Sequence, residues 1–437
     1  MNTHDAIIIG TGQAGPSLAR RLSAAGMKIA VIERKLFGGT CVNTGCTPTK
    51  TLVASAYAIH LARSFCSDLQ VDMKKLKARK DAIVARAGVE KSLRSLTNCE
   101  VIEGHARFTA PHTVSVNGKT LISGRIFLNV GGRARIPPGL NVPYFTNSSM
   151  MDVDFVPPHL LILGGSAVGL EFAQMYRRFG SEVTVIEQAP RLLPHEDEDI
   201  SAAVLDILAK EDIQVALNAH NVAVKATDQG LNVHNFTGTH LLVAAGRVPN
   251  TDDLGLDAAG IATDERGYIH VDEDCATSAR GVWALGDCNG RGGFTHTSYN
   301  DYEIVAANLL DKDSRRISDR IYCSAVYIDP PLARAGMNET EVRNAKRPAL
   351  IGRREMAKVS RAVEKGETLG FMKILVDAQT KLILGATILG TGGDEAIHCI
   401  LDTMYAGAPY MVVQRAVHIH PTVSELIPTM LGDLKPL

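Results

Sequence analysis

Cys41 and Cys46 stand five residues apart in FGGTCVNTGCTPTKTLVASA, and their type and spacing suggest chemistry directly. Two thiols can carry two electrons as a disulfide, and the thiolate is the form that attacks. Geometry restricts how such a pair is held. A regular helix sets residues five apart too far from each other for a disulfide, which needs Cα atoms within about 7 Å. Pro48 works against regularity, because it lacks an N–H, crowds the carbonyl one turn back and disfavours helical geometry at Thr47. Gly45 adds local freedom. A helix continuing from Thr49 would aim its first N–H groups toward Cys46 and favour the thiolate. The segment thus reads as a place for a reducible disulfide.

The elements that must position this pair begin upstream. DAIIIGTGQAGPSLARRL reads as a buried strand, a glycine turn and a helix, with Gly10, Gly12 and Gly15 supplying G-x-G-x-x-G. Such a turn must be tight, let backbone approach a pyrophosphate, and pack its helix closely on the strand. The next strand, MKIAVIE, ends on Glu33, whose carboxylate can accept from a ribose. The pattern recurs in HLLILGGSAVGLEFAQMYRRFGSEVTVIE, where Gly164, Ser166, Gly169 and Glu187 repeat Gly10, Gly12, Gly15 and Glu33 at a displacement of 154 residues (10 to 164). Two copies, each with strand, helix, second strand and terminal acid, predict two dinucleotide sites. Ser166 departs from the pattern. Being small and able to hydrogen-bond phosphate, it is expected to alter the geometry without abolishing binding.

With these motifs in order, the cysteine segment resembles the redox segment of the class I pyridine nucleotide-disulfide oxidoreductases, the family of lipoamide dehydrogenase, glutathione reductase and mercuric reductase. Later matches follow the family's order: AAGRVPN at 244–250, WALGDCNG with Asp287, and HIHPTVSE. The resemblance implies FAD and NAD(P)H as cofactors. It implies that Cys46 lies against the flavin and that Cys41 attacks substrate, with Lys50 near the flavin's reactive edge and paired to Glu171. Asp287 would hold the ribitol and the Ala106 backbone would meet the adenine. Gly39, Thr40, Gly131 and Gly246 complete the expected cofactor-binding set. His420, oriented by Glu425, resembles the family's acid-base catalyst; an imidazole titrating near ~6.5 can take a proton from one thiol and return it to another. His418 and His420 form an H-x-H pair, but two histidines make a poor metal site and none is expected.

The implied architecture is α/β. Two Rossmann-like dinucleotide domains, for FAD (1–146 and 271–318) and NAD(P) (147–270), precede a C-terminal α+β dimerisation domain (319–437). In the family the HPT histidine comes from the other subunit, so a homodimer is expected. Among subfamilies, the C-terminus LGDLKPL lacks the cysteine pair of mercuric reductases, and the retained His420 replaces their tyrosine. QAPRLLP after Glu187 lacks the basic cluster that glutathione reductases use for a 2′-phosphate, which favours NADH, although Arg191 lies close by. The GC-x-PTKTLV segment, LLPHEDEDI, FTHTSYNDYEIV and PPLARAGM resemble the bacterial reactive-chlorine-resistance flavoproteins. This implies reduction of copper(II), a disulfide or another thiol-reactive oxidant. Dihydrolipoamide dehydrogenase is the enzymatic alternative, and an oxidant-sensing flavoprotein without efficient turnover is the alternative of another class.

Bulk properties fit. With 437 residues the chain is long enough for two to four domains. A formal net charge of −1 supplies no field for nucleic acid or an anionic membrane surface. The basic stretch MKKLKARKDAIVARAGVEKSLRSL reads as one amphipathic helix with a solvated face. A strand beginning by residue 6 leaves no room for a signal segment and no apolar run approaches ~20 residues, so a cytoplasmic, membrane-free protein is expected. In that compartment the other cysteines are not expected to form disulfides.

Overall fold

The computed structural model describes residues 2–437 apart from Ser67 and Asn221. Its first unit is built on a five-stranded sheet that contains the two strands the first glycine pattern predicts. The order is Val282–Ala284, Ile126–Leu128, Ala6–Ile9, Ile29–Glu33 and Cys99–Glu103, all parallel. Its strands Ala6–Ile9 and Ile29–Glu33 are apolar up to the terminal Glu33 and buried at every position, as a parallel sheet covered on both faces requires. The second unit repeats the plan. Phe145–Thr146, His240–Val243, His159–Leu163, Glu182–Ile186 and Gln214–Ala216 again run parallel.

The third unit is a six-stranded antiparallel sheet. Its order is Cys323–Val326, Leu332–Gly336, Ile383–Leu389, Phe371–Asp377, Ala349–Glu355 and Lys435–Pro436. The helices Gly393–Tyr405 and Leu426–Gly432 bury their apolar residues against it. Among the described residues no helix is long and apolar enough to cross a membrane.

The borders between units differ from the divisions at 146 and 270. Phe145 and Thr146 pair with the second sheet. Leu254, Leu256, Ala259, Ile261 and Ile269 pack into the core of the first unit together with Ile7, Phe108 and Val282. Sequence order cannot reveal this, because the chain re-enters the first unit through a ribbon, Gly132–Ala134 paired with Arg247–Pro249, before the last strand is reached.

The basic stretch is also divided. It forms two helices, Met73–Ala85 and Val89–Arg94, parted at Gly88 in left-handed conformation (φ 55°). Lys80 is not solvated: it is buried and donates to the Met151 carbonyl at 2.7 Å.

Candidate active site

Cys41 lies in the short helix Gly39–Asn43, and Cys46 opens the helix Cys46–Arg63. The break between them falls at Thr44 and Gly45, and not at Pro48 as expected. Pro48 sits in the first turn of the second helix, where its missing N–H would have had no intrahelical partner and its ring is tolerated. Gly45 is required by contact, since a Cβ there would lie 2.8 Å from the Thr40 carbonyl oxygen.

Both cysteines are free thiols and hydrogen-bond to each other. The Cys41 hydrogen bond, with help from Thr295 and the Lys50 charge, holds the Cys46 thiol down at about 6 against the opposing effect of burial. Cys41 is pushed the other way, because its proton is committed to Cys46 and burial adds to the shift. The environment thus favours the thiolate at Cys46 and keeps the proton on Cys41.

One turn along the same helix, Lys50 Nζ donates to both carboxylate oxygens of Glu171, at 2.6 and 2.8 Å. Glu171 is buried in the helix Ala167–Phe179 of the second unit, so this pair joins the cysteine helix to the second glycine motif. The backbone N–H of Tyr327, just beyond the first strand of the third unit, donates to Glu171 at 3.0 Å. The Tyr327 ring lies 4.7 Å from Lys50 Nζ in cation–π geometry. Three units thus converge on Lys50.

The glycine turns form as their spacing predicts. In the first, Gly15 packs so closely that a Cβ would meet the Gly10 carbonyl oxygen at 2.4 Å, and its N–H donates to Asn129 Oδ1 at 3.1 Å. Glu33 accepts from the Thr11 N–H (2.9 Å), the Thr11 hydroxyl (2.6 Å) and the Lys35 N–H (2.9 Å). In the second, Glu187 accepts from the Gly165 and Ala189 N–H groups at 2.6 and 2.7 Å. The 154-residue displacement therefore extends from the motif to its hydrogen bonds. Each carboxylate braces its own loop and keeps lone pairs for a ribose.

These residues fit a dinucleotide at each turn. For the first, the Gly104 N–H bonds to the Glu33 carbonyl and brings the buried Ala106 beside this turn. Gly39 lies against Gly12, where an added Cβ would be 3.1 Å from the Gly12 Cα, and Thr40 follows it on the exposed side. Asp287 sits in the turn Gly286–Asn289 with Arg247 Nη2 at 3.4 Å, and burial pushes its carboxyl up. It helps line a cavity of about 380 Å3 with Arg247, Tyr268 and Asn289. Gly131 and Gly246 accept from the Asn250 and Arg135 N–H groups at the ends of the connecting ribbon.

His420 Nδ1 contacts both Glu425 oxygens, at 2.9 and 3.1 Å, and its side chain is 72% exposed. The pair belongs to the C-terminal unit and is bonded to itself, not to either thiol. His418 instead contacts the Ala416 carbonyl, and no cluster fit for a metal ion occurs among the described residues. Thr295, 3.2 Å from Cys46 Sγ, and Tyr327 are site residues that sequence reasoning missed. Thr295 was legible only as part of a subfamily mark, FTHTSYNDYEIV, and Tyr327 lies three residues before another, PPLARAGM; neither residue type is reactive by itself.

Comparisons with known proteins identify the family. The pyridine nucleotide-disulphide oxidoreductase family matches residues 4–301, and its dimerisation domain matches residues 322–431. The chain is 35% identical, over the full length of both, to the probable pyridine nucleotide-disulfide oxidoreductase RclA of Escherichia coli. It is 33% identical to the dihydrolipoyl dehydrogenase of Thermus scotoductus, over 97% of this chain and 96% of that one. The solved structure of the HOCl-induced flavoprotein disulfide reductase RclA superposes with a TM-score of 0.92 at 35% identity, covering 99% of this chain and 100% of that one. Its Cu(II) complex superposes equally well, with 99% of each chain covered. The chain belongs to the pyridine nucleotide-disulphide oxidoreductase family.

Proposed function

We propose that this chain is an FAD-dependent NAD(P)H oxidoreductase, active as a homodimer in the cytoplasm, that passes electrons through Cys41 and Cys46 to a disulfide, oxidant or copper(II) acceptor. The observation that carries this reading is the placement of the two mutually bonded thiols, with Thr295 at 3.2 Å from Cys46 and the Lys50–Glu171 pair one turn along the same helix, within a frame of two dinucleotide turns. FAD, held by the Gly10–Gly15 turn, Glu33, Gly39, Thr40, Lys50, Ala106, Gly131 and Asp287, would relay electron pairs from nicotinamide to the cysteines. Gly164, Ser166, Gly169, Glu187 and Gly246 would hold the nicotinamide dinucleotide. NADH is favoured, because Glu187 presents a carboxylate where a 2′-phosphate would stand, and Arg191 is engaged with the Pro194 carbonyl at 3.1 Å.

With a disulfide acceptor, Cys41 gives its proton to a base and its sulfur attacks one acceptor sulfur, releasing the first thiol. Cys46 then attacks the Cys41 sulfur as a thiolate, closing the internal disulfide and releasing the second group as a thiolate that takes its proton from solvent. His420 of the partner subunit, steadied by Glu425, is the proposed proton carrier between Cys41 and the first leaving thiol. With copper(II), two ions each take one electron as the internal disulfide forms, and the one proton held by Cys41 is released. The homodimer is supported by the dimerisation-domain match and by the apolar side chains exposed there, Val412, Val417 and Ile419.

Copper(II) is favoured as an acceptor by the likeness to a reductase solved as a Cu(II) complex. Dihydrolipoamide dehydrogenase is the second reading, favoured by relatives such as the Thermus enzyme. Steady-state NADH oxidation with copper(II), lipoamide and oxidised glutathione separates the two. Turnover confined to lipoamide would replace the proposed function with the second reading.

A further inference from the structure

The helix Thr295–Ala306 points its first residue at the redox pair. Its N-terminus is capped without Thr295: the Thr297 hydroxyl accepts from the Phe294 N–H at 3.2 Å and donates to the Phe294 carbonyl at 2.8 Å. The Thr295 hydroxyl is therefore free of capping duty, and it lies 3.2 Å from Cys46 Sγ. His296, the titratable neighbour on the same turn, is turned away from the thiols. Its Nε2 contacts the Cys323 carbonyl at 2.9 Å and its ring stacks on Phe294 at 5.2 Å. The helix is held in place from its other side. Asp301 accepts from the Gly286 N–H at 2.8 Å and from Asn289 Nδ2 at 2.9 Å, which fixes the helix to the turn that carries Asp287.

We propose that Thr295 is a positioning residue that stabilises the thiolate at Cys46 in the reduced enzyme. Its hydroxyl bonds to both sulfurs, to Cys46 at 3.2 Å, and with one proton to donate it gives it to the sulfur that carries none. Cys46 already receives the Cys41 S–H and faces the Lys50 charge, so the Thr295 O–H adds a further donor to that sulfur. The other groups facing Cys46 are Glu171, which opposes the charge, and Tyr327, whose phenol is itself held up by burial and by nearby acids. Cys41 then keeps its proton until a base removes it, so the attacking thiol and the stored thiolate stay distinct. This inference rests on the proposed route through the cysteine pair.

The test is the pH dependence of iodoacetamide alkylation of Cys46 in the reduced holoenzyme, with the modified peptide identified by mass spectrometry. It compares the parent, Thr295→Val and Thr295→Ser. The parent midpoint is expected well below that of an ordinary thiol. Val, which keeps the shape and removes the donor, is expected to raise it by about one pH unit, the size of a charge-assisted hydrogen bond. Ser, which keeps the donor, is expected to restore it. A packing role predicts the reverse order, with Val silent and Ser impaired, and would overturn the proposal, as would equal midpoints in all three. If the parent itself titrates as an ordinary thiol, it is the redox route that fails, whatever the variants do.

Discussion

At the first glycine turn the middle position is Gly12, and at the second it is Ser166. The two turns share the backbone N–H bonds to their terminal acids and the close packing of their glycines. A Cβ on the leading glycine would strike the carbonyl oxygen of the neighbouring strand's end in each, Asn129 at 2.3 Å for Gly10 and Ala244 at 2.4 Å for Gly164. The difference lies in the side chains of those two neighbours. Asn129 sends its amide into the first turn, where a Cβ at Gly12 would lie 2.7 Å from Oδ1, whereas Ala244 has no such group. The middle glycine is thus demanded by what stands opposite it as well as by a ligand, and Ser166 is permitted because alanine stands opposite. A second contrast has the same character. Thr11 bonds to Glu33 and accepts from the Gly38 N–H at 3.1 Å, tying the first turn to the cysteine segment. Its counterpart Gly165 has no room for a side chain, since a Cβ would meet Leu192 Cδ2 at 2.5 Å.

The strongest way to break the comparison is at the position both turns share. A Cβ at Gly169 would lie 1.9 Å from the Gly164 carbonyl oxygen, so Gly169→Ala must push the helix bearing Glu171 off its strand. We expect a loss of about 3 kcal/mol in urea denaturation, together with weakened NADH oxidation as the Lys50–Glu171 pair shifts. A variant within ~0.5 kcal/mol of the parent, the usual scatter of harmless substitutions, would show that the close approach is not needed.

Gly12→Ser turns the first loop into the second. It should lower stability by about 2 kcal/mol and reduce the flavin retained on purification, read from the ratio of visible to ultraviolet absorbance. Adding Asn129→Ala should recover about 1 kcal/mol relative to additivity. Strictly additive losses would remove Asn129 as the cause.

The acids that close the two motifs are expected to differ in consequence as their ligands differ. Glu187→Ala should shift the ratio of kcat/KM for NADH over NADPH about tenfold toward NADPH, roughly 1.4 kcal/mol, with flavin content unchanged. A ratio unaltered by the substitution would detach Glu187 from cofactor choice. The smallest effect is reserved for Ser166→Gly, which restores the common motif where nothing opposes either residue. Stability should stay within ~0.5 kcal/mol and KM for NADH should change by no more than about threefold; a larger rise would give the Ser166 hydroxyl a direct role with the dinucleotide.

By itself the sequence determined the strand–turn–helix–strand unit at the heart of each parallel sheet, the terminal acids and the cysteine pair, because each depends on neighbours close in the chain. Strand, turn and helix follow from apolar runs broken by glycine, and the 154-residue repeat exposes them twice. The partnership of Lys50 with Glu171 was legible only through family resemblance, since the two residues meet across a separation that spacing does not encode.

Tertiary structure decided the rest. It moved the helix break from Pro48 to Thr44 and Gly45, because the first turn of a helix has no use for the N–H that proline lacks. It sent residues 254–269 back into the first core and buried Lys80 out of an apparently solvated helix. It also brought Thr295 and Asn129, unreactive residues lying hundreds and scores of positions from Cys46 and Gly12, into contact with them. Local patterns fix which elements form; which side chain stands opposite a glycine or a thiolate is set by how those elements pack, and the chemistry of a site depends on that opposite side chain.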